Sequence, residues 1–245
     1  QKKQAEIDTW LDKLVPTKEL PIYTSIDIRD ATFKLAAIDT NLFPAGFNNL
    51  CMVSTQDASA QFKKTVQTKV PDCKNILIIC EEHTRNKWYL ENIYVLQEIA
   101  KEAGYIVTIA TFMTESLGNT TSDHIGFKTA EDHTLTIHRL RPLIHKIQTQ
   151  EIAFDLIILN NDLMEGVPKE LLNANIPIYP SISVGWHNRR KSDHFKCFNK
   201  ITKELCQKLD PSGKLDPWFI STEFDAVDLI DINDPEDRET LYQSA

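Results

Sequence analysis

The stretch Asn75-Ile-Leu-Ile-Ile-Cys80, followed at once by Glu81-Glu-His-Thr-Arg-Asn86, decides the fold. Its apolar run is too short for a helix and lacks the polar alternation of a half-exposed strand. That is the pattern of a strand buried on both faces, as in a parallel sheet. Beyond the polar hexapeptide, Tyr89, Ile93, Leu96, Ala100 and Ala103 recur at helical spacing, Gly104 closes that helix, and residues 105–111 form the next strand. The same order returns downstream. Phe154-Asp-Leu-Ile-Ile-Leu159 predicts a second buried strand; polar Asn160-Asn161-Asp162 follows, then a short helix near 168–173 and a strand at 176–179. Strand, helix, strand repeats predict an α/β fold, an open and mainly parallel sheet flanked by helices.

Outward from this centre, Ile7, Leu11 and Leu14 mark an amphipathic helix over 2–14, ended by Pro16 and followed by an extended segment at 21–28. Residues 115–138 mix polar residues with Gly118 and Gly126, and 134–140 alternate, which predicts a loop and a small antiparallel excursion. A helix over about 191–209 ends before Pro211-Ser212-Gly213. In the acidic stretch 223–239, Arg238 is the only cation. Within it, Asp234-Pro235-Glu236-Asp237 is a helix start: a capping carboxylate, proline at the first helical position and acids toward the positive end of the dipole. A helix begun so close to Ala245 predicts a longer protein. The expected division is an α/β substrate-binding domain over 1–222 and an acidic connector over 223–245, leading into a further region.

Lysine and arginine number 27 against 35 acids, a net charge of −8, which offers no broad basic face for nucleic acid or anionic lipid. No apolar run approaches the roughly 20 residues that span a bilayer, and the polar start lacks the apolar core of a secretory signal. A cytoplasmic protein is expected. Cys51, Cys73, Cys80, Cys197 and Cys206 are odd in number and form no CxxC pair, so reduced thiols are expected rather than disulfides or a zinc site.

In open α/β sheets ligands bind beyond the carboxyl ends of the strands. The polar residues after Ile28, Cys80, Leu159 and Tyr179 are therefore expected to converge on one crevice. Three segments carry chemistry. In Ser25-Ile-Asp-Ile-Arg-Asp30 and the following residues to Asn49, Asp27 and Asp39 suit a substrate ammonium, while Arg29 and Lys34 suit a carboxylate or phosphate; a salt-bridge network pinning a long loop accounts for them equally. In the second, residues 81–86, a helix N-terminus and Arg85 could bind an anion, or Thr84 or Asn86 simply caps the helix. His83 has no second histidine at metal-binding spacing. In the third, Arg189-Arg-Lys191 is the only dense basic cluster, an anion site or a solvated helix start. No GxGxxG, GxxxxGK[ST], GxSxG or HExxH motif is present, and seven glycines are few for a self-contained nucleotide site.

Taken together, Asp39-Thr-Asn-Leu-Phe-Pro-Ala-Gly-Phe-Asn-Asn49, Glu82-His-Thr-Arg-Asn86, Leu159-Asn-Asn-Asp-Leu163, Gly185-Trp186 and Arg189-Arg-Lys-Ser192 with His194-Phe195 resemble the hallmark strings of the proteobacterial type of glutamate-cysteine ligase. The resemblance covers about residues 20–220. It implies an ATP-grasp ligase that makes γ-glutamylcysteine from L-glutamate, L-cysteine and ATP with magnesium, in glutathione biosynthesis. It also implies that this chain is the N-terminal, substrate-binding part, with a Rossmann-like sheet of the kind that precedes an ATP-grasp region. The implied roles are Arg85 and Arg189 or Arg190 for substrate carboxylates, Asp27 or Asp39 for an ammonium, and Asn48, Asn49 and Asn161 for orientation. Arg29, Asn41, His83, Asn86 and Lys191 complete the candidate binding set, with no metal ligand among them. Residues 223–245 hold neither glycine nor lysine, so no ATP or Mg2+ is expected to bind this chain tightly by itself. A noncatalytic module that binds an amino acid or small anion is the alternative. A hydrolase or deaminase using His83, Glu81 and Asp162 lacks an activated nucleophile or metal signature.

Overall fold

The computed structural model describes residues 3–14, 20–112, 122–164, 166–172, 175–185, 188, 190–223 and 231–244. Its elements open with helix α1 (Gln4–Leu14), strands β1 (Ser25–Asp30) and β2 (Leu35–Asn41), a 3-10 turn (Phe47–Asn49), and helix α2 (Met52–Lys69). Then come β3 (Asn75–Cys80), α3 (Lys87–Glu102), β4 (Ile106–Thr111), β5 (His124–Lys128), β6 (Thr134–Arg139) and α4 (Leu140–Gln148). The chain continues through β7 (Leu156–Asn160), α5 (Lys169–Leu172), β8 (Ile178–Tyr179), a 3-10 turn (Ile182–Val184), α6 (Lys191–Leu209), a 3-10 turn (Pro217–Phe219) and α7 (Pro235–Ser244).

The apolar run Asn75–Cys80 is β3, near the middle of a six-stranded sheet of order β5-β6-β4-β3-β7-β8. Ile78 pairs with Ile109 of β4 on one side and Ile158 of β7 on the other, both parallel. All five apolar residues of β3 are fully buried. Ile76, Ile78 and Cys80 pack with Phe62 and Val66 of α2 and Ile93 and Leu96 of α3. Leu77 and Ile79 pack with Leu140, Leu143 and Ile144 of α4 and Leu171 of α5. Helices on both faces of the sheet are the physical reason its strands read as continuous apolar runs.

The antiparallel excursion is β5 against β6, and β6 itself runs parallel to β4, so the excursion is an edge of the main sheet. Two expectations need correction. Strand β1 does not join that sheet; it pairs antiparallel with β2 in a separate two-stranded sheet. Residues 33–49 are also not one long loop, since β2 occupies 35–41. The turn between β1 and β2 closes with Ala31 N–H donating to Lys34 O at 3.0 Å, and Asp30 Oδ1 accepts from Thr32 N at 2.7 Å.

The chain divides into two compact units, one of Gln1–Asp8, Ile26–Thr40 and Arg189–Ala245, the other of Thr9–Ser25 and Asn41–Asn188. The second holds the six-stranded sheet and its helices. In the first, the Thr222 hydroxyl donates to Ala37 O at 2.6 Å, and the Asn199 side chain bonds both the N–H and the C=O of Thr222. These bonds fix α6 and the Pro217–Phe219 turn beside β2. Lys34 Nζ lies 4.1 Å from the centre of the Trp218 ring. Among the described residues of this unit, Cys206 is the one buried apolar side chain.

Candidate functional site

From β3 the chain builds outward through β4 to β6; it then crosses back to place β7 and β8 on the other side. The boundary between β3 and β7 is therefore a topological switch point, where the connections leaving adjacent strands diverge and open a crevice. A cavity of about 420 Å³ lies there. Glu81, Glu82 and His83 line it from the end of β3, Asn160, Asn161 and Asp162 from the end of β7, and Asn41, Phe43 and Ala45 from the end of β2 and the residues after it. Tyr89 of α3 and Leu163, Met164 and Gly166 complete most of the wall.

Hydrogen bonds hold these strand ends in register. The Glu81 N–H donates to Tyr89 Oη at 2.8 Å, and the Tyr89 hydroxyl donates to Asn160 O at 3.5 Å. Asp162 N–H donates to Glu81 Oε1 at 2.6 Å. Asn160 Nδ2 donates to Pro44 O at 3.1 Å and to Tyr23 Oη at 3.3 Å. Because a proline carbonyl can only accept, the first of these bonds fixes which side-chain atom of Asn160 is nitrogen. Asn161 Nδ2 reaches Cys80 O at 3.4 Å, and its Oδ1 accepts from Leu163 N at 3.0 Å.

Burial sets the electrostatics. It pushes the Glu81 carboxyl up to about 7, an effect the neighbouring Asp162 and Glu82 charges reinforce and the Asp162 N–H opposes. It also pushes the Cys80 thiol up to about 12 and raises both Tyr23 and Tyr89, so none of the three supplies an anion near neutral pH. Among the described residues the lining has three carboxylates and no lysine or arginine. No group of three or more His, Cys, Asp or Glu among the described residues is arranged to hold a metal ion. The chemistry is that of a site for a cationic nitrogen.

Of the residues singled out in the sequence, Asn41, His83 and Asn161 meet at this cavity. Asn41 Oδ1 accepts from Phe43 N at 2.8 Å, and the His83 ring lies edge-on to Tyr89. Asn86 caps α3, its Oδ1 accepting from Trp88 N and Tyr89 N, while Arg85 is exposed in the same connection. Asn48 and Asn49 lie in the 3-10 turn that follows Gly46. Asp27 and Arg29, exposed on β1, Asp39 on β2, and Arg190 and Lys191 at the start of α6 belong to the other unit, where Lys191 Nζ pairs with Asp39 at 3.0 Å. Arg189 lies outside the described residues. The candidate set omitted Glu81, Glu82, Asn160 and Asp162. Their signal was position: each stands at the carboxyl end of a buried strand or just past it. No described helix is long and apolar enough to cross a membrane, and none of the five cysteines is in a disulfide.

A family model described as glutamate-cysteine ligase, GshA, matches residues 1–245. Among solved structures, the chain is similar to the crystal structure of a provisionally assigned gamma-glutamylcysteine synthetase from Methylobacillus flagellatus KT, with 29% identity and a TM-score of 0.81. The match covers 99% of this chain and 55% of that one, so the chain spans a little over half the length of this relative. No curated protein matches the chain.

Proposed function

The chain belongs to the glutamate-cysteine ligase family, and from that premise we propose that it is the amino-acid-binding part of an ATP-dependent ligase. The reaction joins the side-chain carboxylate of L-glutamate to the amine of L-cysteine and yields γ-glutamylcysteine. The observation that supports this reading is the cavity between β3 and β7, whose described lining offers carboxylates and side-chain amides but no lysine or arginine. An amino acid brings an ammonium, and Glu81, Glu82 and Asp162 supply the opposite charge in a partly desolvated setting where it counts for more than in water. Asn160 and Asn161, locked by their own hydrogen bonds, orient it. In the same reading the exposed Arg85 guanidinium meets a substrate carboxylate.

Magnesium-ATP does not match the described lining of this cavity. Among the described residues its lining has no lysine or arginine for phosphate oxygens, and no described acid cluster is arranged for a metal ion. On this reading nucleotide and magnesium are handled by an ATP-grasp region of a longer polypeptide, and the 55% coverage of the Methylobacillus relative leaves room for one.

Calorimetric titration of L-glutamate, L-cysteine and magnesium-ATP into this chain tests the reading. An amino acid is expected to bind and ATP is not. Tight ATP binding would overturn the division of labour, and failure of both amino acids to bind would overturn the site. Amino-acid binding without ligation by the full polypeptide would make the protein a noncatalytic binding module instead.

A further inference from the structure

An ammonium nitrogen has no lone pair, so any amine that attacks an activated acyl group must first lose a proton, and the protein needs a group to take it. Two acceptor side chains that line the cavity, Asn160 and Glu81, bear on where that happens. Asn160 is 1% exposed and has both amide hydrogens engaged, and among the described residues none donates to its Oδ1. An amide oxygen of a cavity-lining residue with no described donor can accept one from a ligand. Glu81 has its backbone N–H on Tyr89 Oη and its Oε1 on Asp162 N–H, which leaves Oε2 without a partner among the described residues. The two residues follow one another across the β3–β7 pair, Cys80 lying opposite Asn160 in the parallel register.

We propose that Glu81 is the proton acceptor for the attacking amine, with Asn160 Oδ1 accepting a second N–H of the same nitrogen. This role rests on the ligase reading above. The Glu81 carboxylate takes one proton from the ammonium of the acceptor amino acid. The freed lone pair forms the C–N bond to the carbonyl carbon of the acyl phosphate, and the C–O bond to phosphate breaks with its electron pair on the departing phosphate. A second N–H proton leaves with phosphate, which completes the amide. Glu81 is placed for this by two hydrogen bonds that hold its backbone and one carboxylate oxygen and leave the other oxygen open. Asp162, by contrast, uses Oδ1 to accept from Met164 N at 3.0 Å. Burial, with Glu82 and Asp162 beside it, raises the Glu81 carboxyl to about 7. His83, Tyr89 and Cys80 are the other titratable groups around it, the last two held protonated by burial. A carboxylate tuned near neutrality is a far better base than an ordinary one and is still largely ionised above pH 7.

Hydroxylamine separates this role from a structural one, because its nitrogen is already neutral at pH 7 and needs no deprotonation before attack. In the full polypeptide, Glu81→Gln is expected to lower ligation of L-cysteine by roughly 10²- to 10⁴-fold, the range of general-base catalysis. The same variant is expected to lose far less hydroxamate formation with hydroxylamine. Glu81→Asp, which keeps a carboxylate, is expected to recover part of the cysteine rate. Equal loss with both acceptors, or a cysteine rate that survives Glu81→Gln, would overturn the role while leaving the ligase reading intact. If the unsubstituted protein forms neither product, the ligase reading falls and the role falls with it.

Discussion

The Tyr89 hydroxyl accepts the Glu81 N–H at 2.8 Å and reaches the Asn160 carbonyl at 3.5 Å, so one side chain of α3 closes the ends of two neighbouring parallel strands. Removing that oxygen orphans the Glu81 N–H in a buried setting. Tyr89→Phe is expected to cost about 1–3 kcal/mol, the desolvation penalty of an unsatisfied backbone donor. Urea denaturation of parent and variant measures it, and unchanged midpoints would show that water replaces the hydroxyl.

Glu81 also makes stability depend on pH. Its folded-state value of about 7 lies above the ordinary 4.5, so between these values the folded chain holds a proton that the unfolded chain has released. By linkage the Glu81 contribution is most favourable below about pH 4.5 and is lost as pH rises through about 7. Glu81→Gln removes this dependence. Its urea midpoint should match the parent near pH 4.5 and exceed it at pH 8; a constant difference at both would contradict the burial argument.

Asn86 tests capping against ligand contact. Its Oδ1 is committed to Trp88 N and Tyr89 N, at 3.1 and 3.2 Å. Asn86→Ala should lower stability by about 1 kcal/mol, and Asn86→Asp should hold it. Calorimetry should find amino-acid affinity unchanged in the Asp variant. A large loss of affinity there would return Asn86 to the binding set.

Within α3 the two faces should respond very differently. Ile93 is fully buried against β3, and Ile93→Ala should cost about 2–5 kcal/mol. Trp88 is 61% exposed, and Trp88→Ala should stay within about 0.5 kcal/mol. Thermal melts of both variants decide whether this sheet face is packed as described.

The sheet centre was legible because strands covered on both faces carry unbroken apolar runs, and β3 and β7 do. Helix α6 was legible from its bounds, with Pro211 and Gly213 just beyond it. Helix α2 was not, because it leans on the core mainly through Phe62 and Val66 and is otherwise rich in polar residues. Helix α4 hides behind the alternation of β6, which gives way at Leu140 to Leu143 and Ile144, with Pro142 tolerated in the first turn. The hairpin of β1 and β2 has exposed Ile26, Ile28 and Leu35, so its strands show no clean burial pattern. At the site, position relative to the strand ends was readable in Glu81 and Asp162. Their coupling was not, because the bond from Asp162 N–H to Glu81 spans residues far apart in the chain.

Neither compact unit is one uninterrupted stretch of polypeptide: the smaller is drawn from three segments and the cavity-bearing one from two. A single crossover between related genes therefore cannot exchange either unit intact. Swapping 26–40 alone would trade a hairpin, and joining Ser25 to Asn41 is the splice by which a recombinant could carry the cavity without it. For inheritance and for protein engineering alike, the binding unit travels only with its interruption or with that splice.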